Sequence, residues 1–191
     1  MLATLCLGLL LSLPHARLSP VGETPPLPTP RLQVAKGSVR IVTRAWERPR
    51  TLSPEAKWLA VPGPSYVELG ALSELRVCWN GRGSLRVSGP ATLELGTVGR
   101  GTDERPLAAL GSPRAFRVEG RTEGVSLELS GGWVSELDRA LLSGRRLPNG
   151  LYELANAGAR DIHLRCPWLG GKGRRVLRPA QRLRMRLEPP P

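Results

Sequence analysis

Arginine carries most of the chemistry that this 191-residue sequence offers. It has 28 basic residues against 16 acidic ones, a formal net charge of +12, and only Lys36, Lys57 and Lys172 are lysine. The surplus is concentrated late in the chain. From Arg139 to Arg186 twelve basic side chains face two acidic ones, Glu153 and Asp161, for a local net of +10. Six of them, Arg174, Arg175, Arg178, Arg182, Arg184 and Arg186, form the candidate ligand-binding set. Arg182, Arg184 and Arg186 alternate with Leu183, Met185 and Leu187, so a strand here would carry an arginine ladder above a buried apolar stripe. Guanidinium groups about 6.5 to 7 Å apart repel one another unless counter-ions or a polyanion lie over them. The chemistry is therefore anion binding, long-ranged and weakened by salt. The alternative is an arginine-biased composition with a solvated face.

The residues that could do covalent or acid–base work do not assemble in sequence. His15 falls in an apolar N-terminal stretch, and His163 alternates with Ile162 and Leu164, which points it outward beside Arg165. With no carboxylate or nucleophile paired to it, it reads as a solvated strand histidine rather than a general base. No Gly-x-Ser-x-Gly elbow occurs. In Gly170-Gly171-Lys172-Gly173 the first-glycine position of a phosphate loop is Cys166, and neither Ser nor Thr follows the lysine. Cys78, Cys166 and His163 are one ligand short of a structural zinc site. The expectation is a non-catalytic protein with no cofactor.

Cys78 and Cys166 could instead bridge in an oxidising compartment, or remain two thiols. Their phases disagree: Cys166 shares the inward phase of Ile162 and Leu164, whereas Cys78 lies opposite to Leu75, Val77 and Trp79. A bond then requires either C-terminal strands over Cys78 or a bulge that resets the phase, with the Cα atoms within about 7 Å.

The elements that must position these groups are short strands. Leu75, Val77 and Trp79, then Leu85 and Val87, then Leu93 and Leu95, recur at every second position. Asn80-Gly81 and Gly89-Pro90 separate the three runs and predict a β-meander. Similar runs begin at Leu32, Val39, Tyr66, Phe116, Val125, Leu151, Ile162, Val176 and Leu183. Residues 96–106 read as a polar, glycine-rich surface loop, and Ser135 to Leu142 fits a short helix behind a serine cap or, almost equally, a strand. With 22 Gly, 19 Pro and 4% aromatic residues, turns are frequent and the core is mainly Leu and Val. The fold class expected is all-β, an antiparallel β-sandwich or meander of roughly nine or ten short strands with at most one short helix.

Along the chain, residues 1–16 carry no charged side chain and include the apolar block Leu2 to Leu13, the length of a signal-peptide core and too short to span a bilayer. Residues 17–30 hold Pro20, Pro25, Pro26, Pro28 and Pro30 and read as a linker. Residues 31–188 are expected to form the β domain, with its basic C-terminal strands at 139–187. The location implied is periplasmic or secreted.

Within the β domain, Gly37-Ser-Val, the strand into Leu69, Leu75-Arg-Val, Gly83-Ser-Leu-Arg-Val and Gly89-Pro-Ala-Thr-Leu-Glu-Leu resemble the extracytoplasmic FecR-type domain over roughly residues 36–96. In place of that family's Gly-Asp segment stands Pro62-Gly-Pro-Ser65. The resemblance implies a β-rich domain outside the cytoplasmic membrane, of a kind that in the founding members relays a siderophore receptor's state to a sigma factor. The function expected is an exported, non-catalytic FecR-like binding module for an anionic envelope polymer, a membrane surface or a partner protein. A periplasmic signalling or regulatory role is the alternative. The export signal and the scarcity of stacking aromatics argue against nucleic acid as partner.

Overall fold

The computed structural model describes residues 29–54, 57–99, 103–122, 124–130, 132–166 and 173–186. The expected signal segment, nearly all of the linker, Gly170 to Lys172 and Leu187 lie outside them. Seventeen strands follow in chain order among the described residues. They are β1 (Arg31–Lys36), β2 (Val39–Thr43), β3 (Arg50–Leu52), β4 (Leu59–Ala60), β5 (Ser65–Leu69) and β6 (Glu74–Trp79). Next come β7 (Gly83–Ser88), β8 (Ala91–Val98), β9 (Arg105–Gly111), β10 (Ala115–Gly120), β11 (Val125–Leu129) and β12 (Trp133–Leu137). The last are β13 (Leu141–Arg146), β14 (Tyr152–Asn156), β15 (Ile162–Arg165), β16 (Arg174–Leu177) and β17 (Arg182–Met185).

The strands form two sheets. The first has eight, in the order β17-β14-β13-β10-β7-β6-β1-β4, and the second nine, in the order β16-β15-β12-β11-β9-β8-β5-β2-β3. The apolar positions read from the two-residue period meet between them: Leu75, Val77, Trp79, Leu85, Val87, Leu93 and Leu95 are all buried in one core. Each fully buried side chain of this size contributes roughly 1.5–3 kcal/mol of transfer free energy. Both sheets are laid down almost in chain order, because the chain repeatedly makes one or two strands in one sheet and then crosses to the other. The N-terminal strands therefore occupy one lateral edge of the sandwich, and β14 to β17 occupy the opposite edge.

All-β architecture is as expected, with no helix among the described residues, but several particulars differ. Ser135 lies in β12, and Leu141 and Leu142 open β13, so the helical alternative for residues 135–142 gives way to two strands. The strand count exceeds nine or ten in part because β3 and β4 are only three and two residues long, β9 carries no clear strand signal, and β12 and β13 stand where a helix is an almost equal reading. In β9, Pro106, Ala108 and Ala109 have little intrinsic strand preference, and the strand is held by pairing to β8 and β11 on either side. The β9–β11 pair is parallel, with β10 of the first sheet lying between them in sequence, so the second sheet is mixed rather than purely antiparallel.

The expected meander is divided between the sheets. β6 and β7 form a hairpin in the first sheet, whereas β8 pairs with β5 and β9 in the second. The crossing is at Gly89-Pro90, where the Gly89 N–H donates to the Ser73 carbonyl at 2.9 Å. A Cβ on Gly89 would stand 2.0 Å from the Gly70 carbonyl oxygen, so only glycine fits where the two turns touch. Period two assigns a face to each side chain but does not say which sheet the strand joins.

Of the two alternatives for Cys78 and Cys166, bridge or two thiols, the structure holds two free thiols. Cys78 lies on the outer side of β6, near the middle of the first sheet, while Cys166 follows β15 near an edge of the second and is buried inward. Among the described residues no C-terminal strand covers Cys78, and its phase is not reset by a bulge in the β6–β7 pairing.

Candidate anion-binding face

Because β6 and β7 pair in register, Arg76 stands directly opposite Arg86, and because β7 pairs with β10, Arg86 stands directly opposite Arg117. Three arginines thus form a row across three neighbouring strands, perpendicular to the chain direction. The row continues through Ser143 on β13 and Ala155 on β14 to Arg182 on β17. With strands spaced by roughly 4.8 Å, Arg76 and Arg117 are roughly 10 Å apart at the backbone, and Arg182 lies roughly 14 Å beyond. All four arginines are exposed on the outer face of the first sheet, the inner face being occupied by the core.

Like charges directly opposite on neighbouring strands destabilise the pairing. Arg86 has one counter-charge, Glu74 on β6, to which its Nε donates, and this bond with the neighbouring guanidinium charge holds the Glu74 carboxyl below its ordinary range. Neither Arg76 nor Arg117 makes a salt bridge with a described residue. Opposing outer-face rows therefore leave positive charge at the middle of the sheet.

At the C-terminal edge the arrangement is different. The Glu153 carboxylate on β14 accepts Nε and Nη2 of Arg145 at 3.1 and 2.8 Å on one oxygen, and Nε of Arg184 at 3.1 Å on the other. Arg182 Nη1 is 3.9 Å away. Arg145 is the β13 partner of Glu153 and Arg184 its β17 partner, so strand register alone places the acid between the two bases. Only 7% of the Glu153 side chain is exposed, and the hydrogen bonds from Arg145 and Arg184 hold its pKa below the ordinary carboxylate range. The Arg182–Arg184 ladder exists, with Leu183 and Met185 packed against the core beneath it, but an internal carboxylate already supplies part of the counter-charge.

Two shallow depressions run along this face. One, of about 360 Å³, lies over β10, β13 and β14, where Ala115, Ser143 and Ala155 make a floor of small side chains bordered by Arg145 and Arg182. The other, of about 350 Å³, lies over β6, β7 and β10; Trp58 stands at its rim with Arg76, Arg86 and Arg117. The opposite outer face of the sandwich differs in charge. There β2, β5, β8, β9, β11 and β12 present Glu68, Glu94, Glu128 and Glu136 with Arg40 and Arg105, two of these acids being paired, Glu68 with Arg40 and Glu136 with Arg105, while at its C-terminal edge Arg165 on β15 stands opposite Arg174 on β16.

Of the six arginines selected from sequence, Arg182 and Arg184 belong to this face, and Arg186 directly follows them, exposed. Arg174 and Arg175 lie on β16, the terminal strand of the second sheet, and Arg178 begins the turn into β17. The six are therefore not one surface. Charged side chains on a terminal strand keep its unpaired backbone from recruiting another chain, and that suffices to explain arginine on β16. Sequence reasoning missed Arg76, Arg86 and Arg117. Each could be seen to point outward, but their alignment depends on the register of β6, β7 and β10.

His163 and Arg165 point outward from β15 as expected, with Ile162 and Leu164 buried. Among the described residues no three His, Cys, Asp or Glu side chains come together as a metal site would need, and no helix is long and apolar enough to cross a membrane. Comparison of the chain with family models, curated proteins and solved structures returns no match.

Proposed function

We propose that this chain is an exported, non-catalytic β-sandwich protein whose first-sheet outer face binds an anionic polymer of the cell envelope. The observation that carries this reading is the Arg76–Arg86–Arg117 row, three like charges in direct cross-strand register of which Arg86 alone is bonded to a described carboxylate, that of Glu74. A row of this kind costs stability in the unliganded protein, and an elongated anion laid across the strands would neutralise all three at once. The uncharged apolar segment at residues 1–16 supports export, and the FecR-like pattern at 36–96, which spans β2 to β8, supports an extracytoplasmic domain.

The test compares wild type with the Arg76→Gln/Arg86→Gln/Arg117→Gln variant on immobilised acidic polysaccharide across a salt series, with Arg174→Gln/Arg175→Gln as the control. Retention should fall and lose much of its salt dependence in the first variant and change little in the second. Equal retention of all three proteins would overturn the reading.

A further inference from the structure

The geometry points to a more specific ligand, which rests on the anion-binding reading above: we infer that the depression at Trp58 is a subsite for one acidic sugar unit of a glycan. Trp58 is 39% exposed, although indole is a side chain that burial ordinarily favours. It stands at the rim of the 350 Å³ depression with the three row arginines, the Ser84 hydroxyl and the Glu119 carboxylate. A flat aromatic surface covers the apolar face of a pyranose ring. The guanidinium groups match a carboxylate or sulfate in planar, paired hydrogen bonds. The serine hydroxyl and the Glu119 carboxylate, which is 3.8 Å from Arg121, supply the acceptors that ring hydroxyls need.

The same details disfavour other polyanions. Inorganic polyphosphate has nothing to place against an indole and no donors for Glu119. A single-stranded nucleic acid stacks successive bases on successive aromatic side chains, and among the described residues Trp58 is the one exposed aromatic side chain at either depression on this face, Phe116 being buried in the core.

Cys78 supplies an internal reporter, because its half-buried thiol lines the same depression while Cys166 is buried in the core. Affinity is measured for polygalacturonate oligomers, inorganic polyphosphate and single-stranded oligodeoxythymidine, using wild type, Trp58→Ala and Arg76→Gln/Arg117→Gln; alkylation of Cys78 is followed by peptide mass with each probe bound. The expected result is about a tenfold loss for the uronate oligomer in Trp58→Ala with polyphosphate binding unchanged, a loss for both in the arginine variant, and slower Cys78 alkylation under the oligomer. If Trp58→Ala leaves uronate binding intact while the arginine variant loses it, the sugar subsite is overturned and the anion-binding face stands. If the arginine variant binds every probe as wild type does, the anion-binding reading itself falls. Equal losses for uronate and polyphosphate in Trp58→Ala would make the indole a structural support and overturn the subsite. Tighter, Trp58-dependent binding of the oligonucleotide would overturn it in favour of nucleic acid.

Discussion

Arg86 on β7 and Arg117 on β10 stand directly opposite each other, and of the two only Arg86 is bonded to a carboxylate, that of Glu74. Nothing in the packing of the sandwich requires this, since the core lies on the other side of both strands. It is a local cost carried by the surface, and such costs are informative because a threonine at either position would suit the strand better.

Replacing Arg117 by Thr should therefore stabilise the unliganded protein, by about 0.2 to 1 kcal/mol at low ionic strength, while weakening retention on an acidic polymer. Thermal melts in a salt series check this. Salt should raise the melting temperature of wild type more than that of the variant, and a variant that melts lower at every salt concentration would show that Arg117 supports the fold instead.

Glu153 should govern the acid stability of the C-terminal edge. Its pKa is held low in the folded state by Arg145 and Arg184, so its contribution is fully present above the ordinary glutamate value and is lost as pH falls through the lowered one. Glu153→Gln should lower stability at neutral pH and flatten the acid limb of the stability curve. Chemical denaturation from pH 7 downward would show the two proteins converging once the carboxyl is protonated.

Asn156 ties the two sheets together at that same edge. Its Nδ2 donates to the Leu177 carbonyl at 2.8 Å and to the Arg160 carbonyl at 2.6 Å, while its Oδ1 accepts from the Gly158 N–H at 2.9 Å. Leu177 belongs to the second sheet and Asn156 to the first. Asn156→Ala should cost about 1–3 kcal/mol by leaving buried backbone groups without partners. Hydrogen exchange should rise first at β14, β16 and β17, and uniform loss across both sheets would contradict a local tie.

The thiols should differ in reactivity. Cys78 should alkylate in the native protein, whereas Cys166, buried at the end of β15, should react only on unfolding. Timed labelling with mass readout, in native buffer and in denaturant, distinguishes them. Recovery of a Cys78–Cys166 peptide from native exported protein would be incompatible with the fold.

The sequence alone was sufficient to specify the two faces of most strands. Alternation at Leu75, Val77 and Trp79, at Val125, Leu127 and Leu129, and at Ile162 and Leu164 assigns inside and outside, because a pleated strand turns successive side chains to opposite faces whatever it pairs with. The same rule placed His163 outward and set Cys78 and Cys166 on discordant faces. What alternation cannot contain is the identity of the neighbour. The crossing of β8 at Gly89-Pro90, the parallel pairing of β9 with β11, and the register that aligns Arg76, Arg86 and Arg117 are all decided by contacts between residues distant in the chain. The same holds at the C-terminal edge, where Arg184 is legible as part of a ladder, but its partner Glu153 is 31 positions earlier and reaches it only once β14 and β17 pair. Local periodicity determined which side chains face solvent, and tertiary register decided which of them meet.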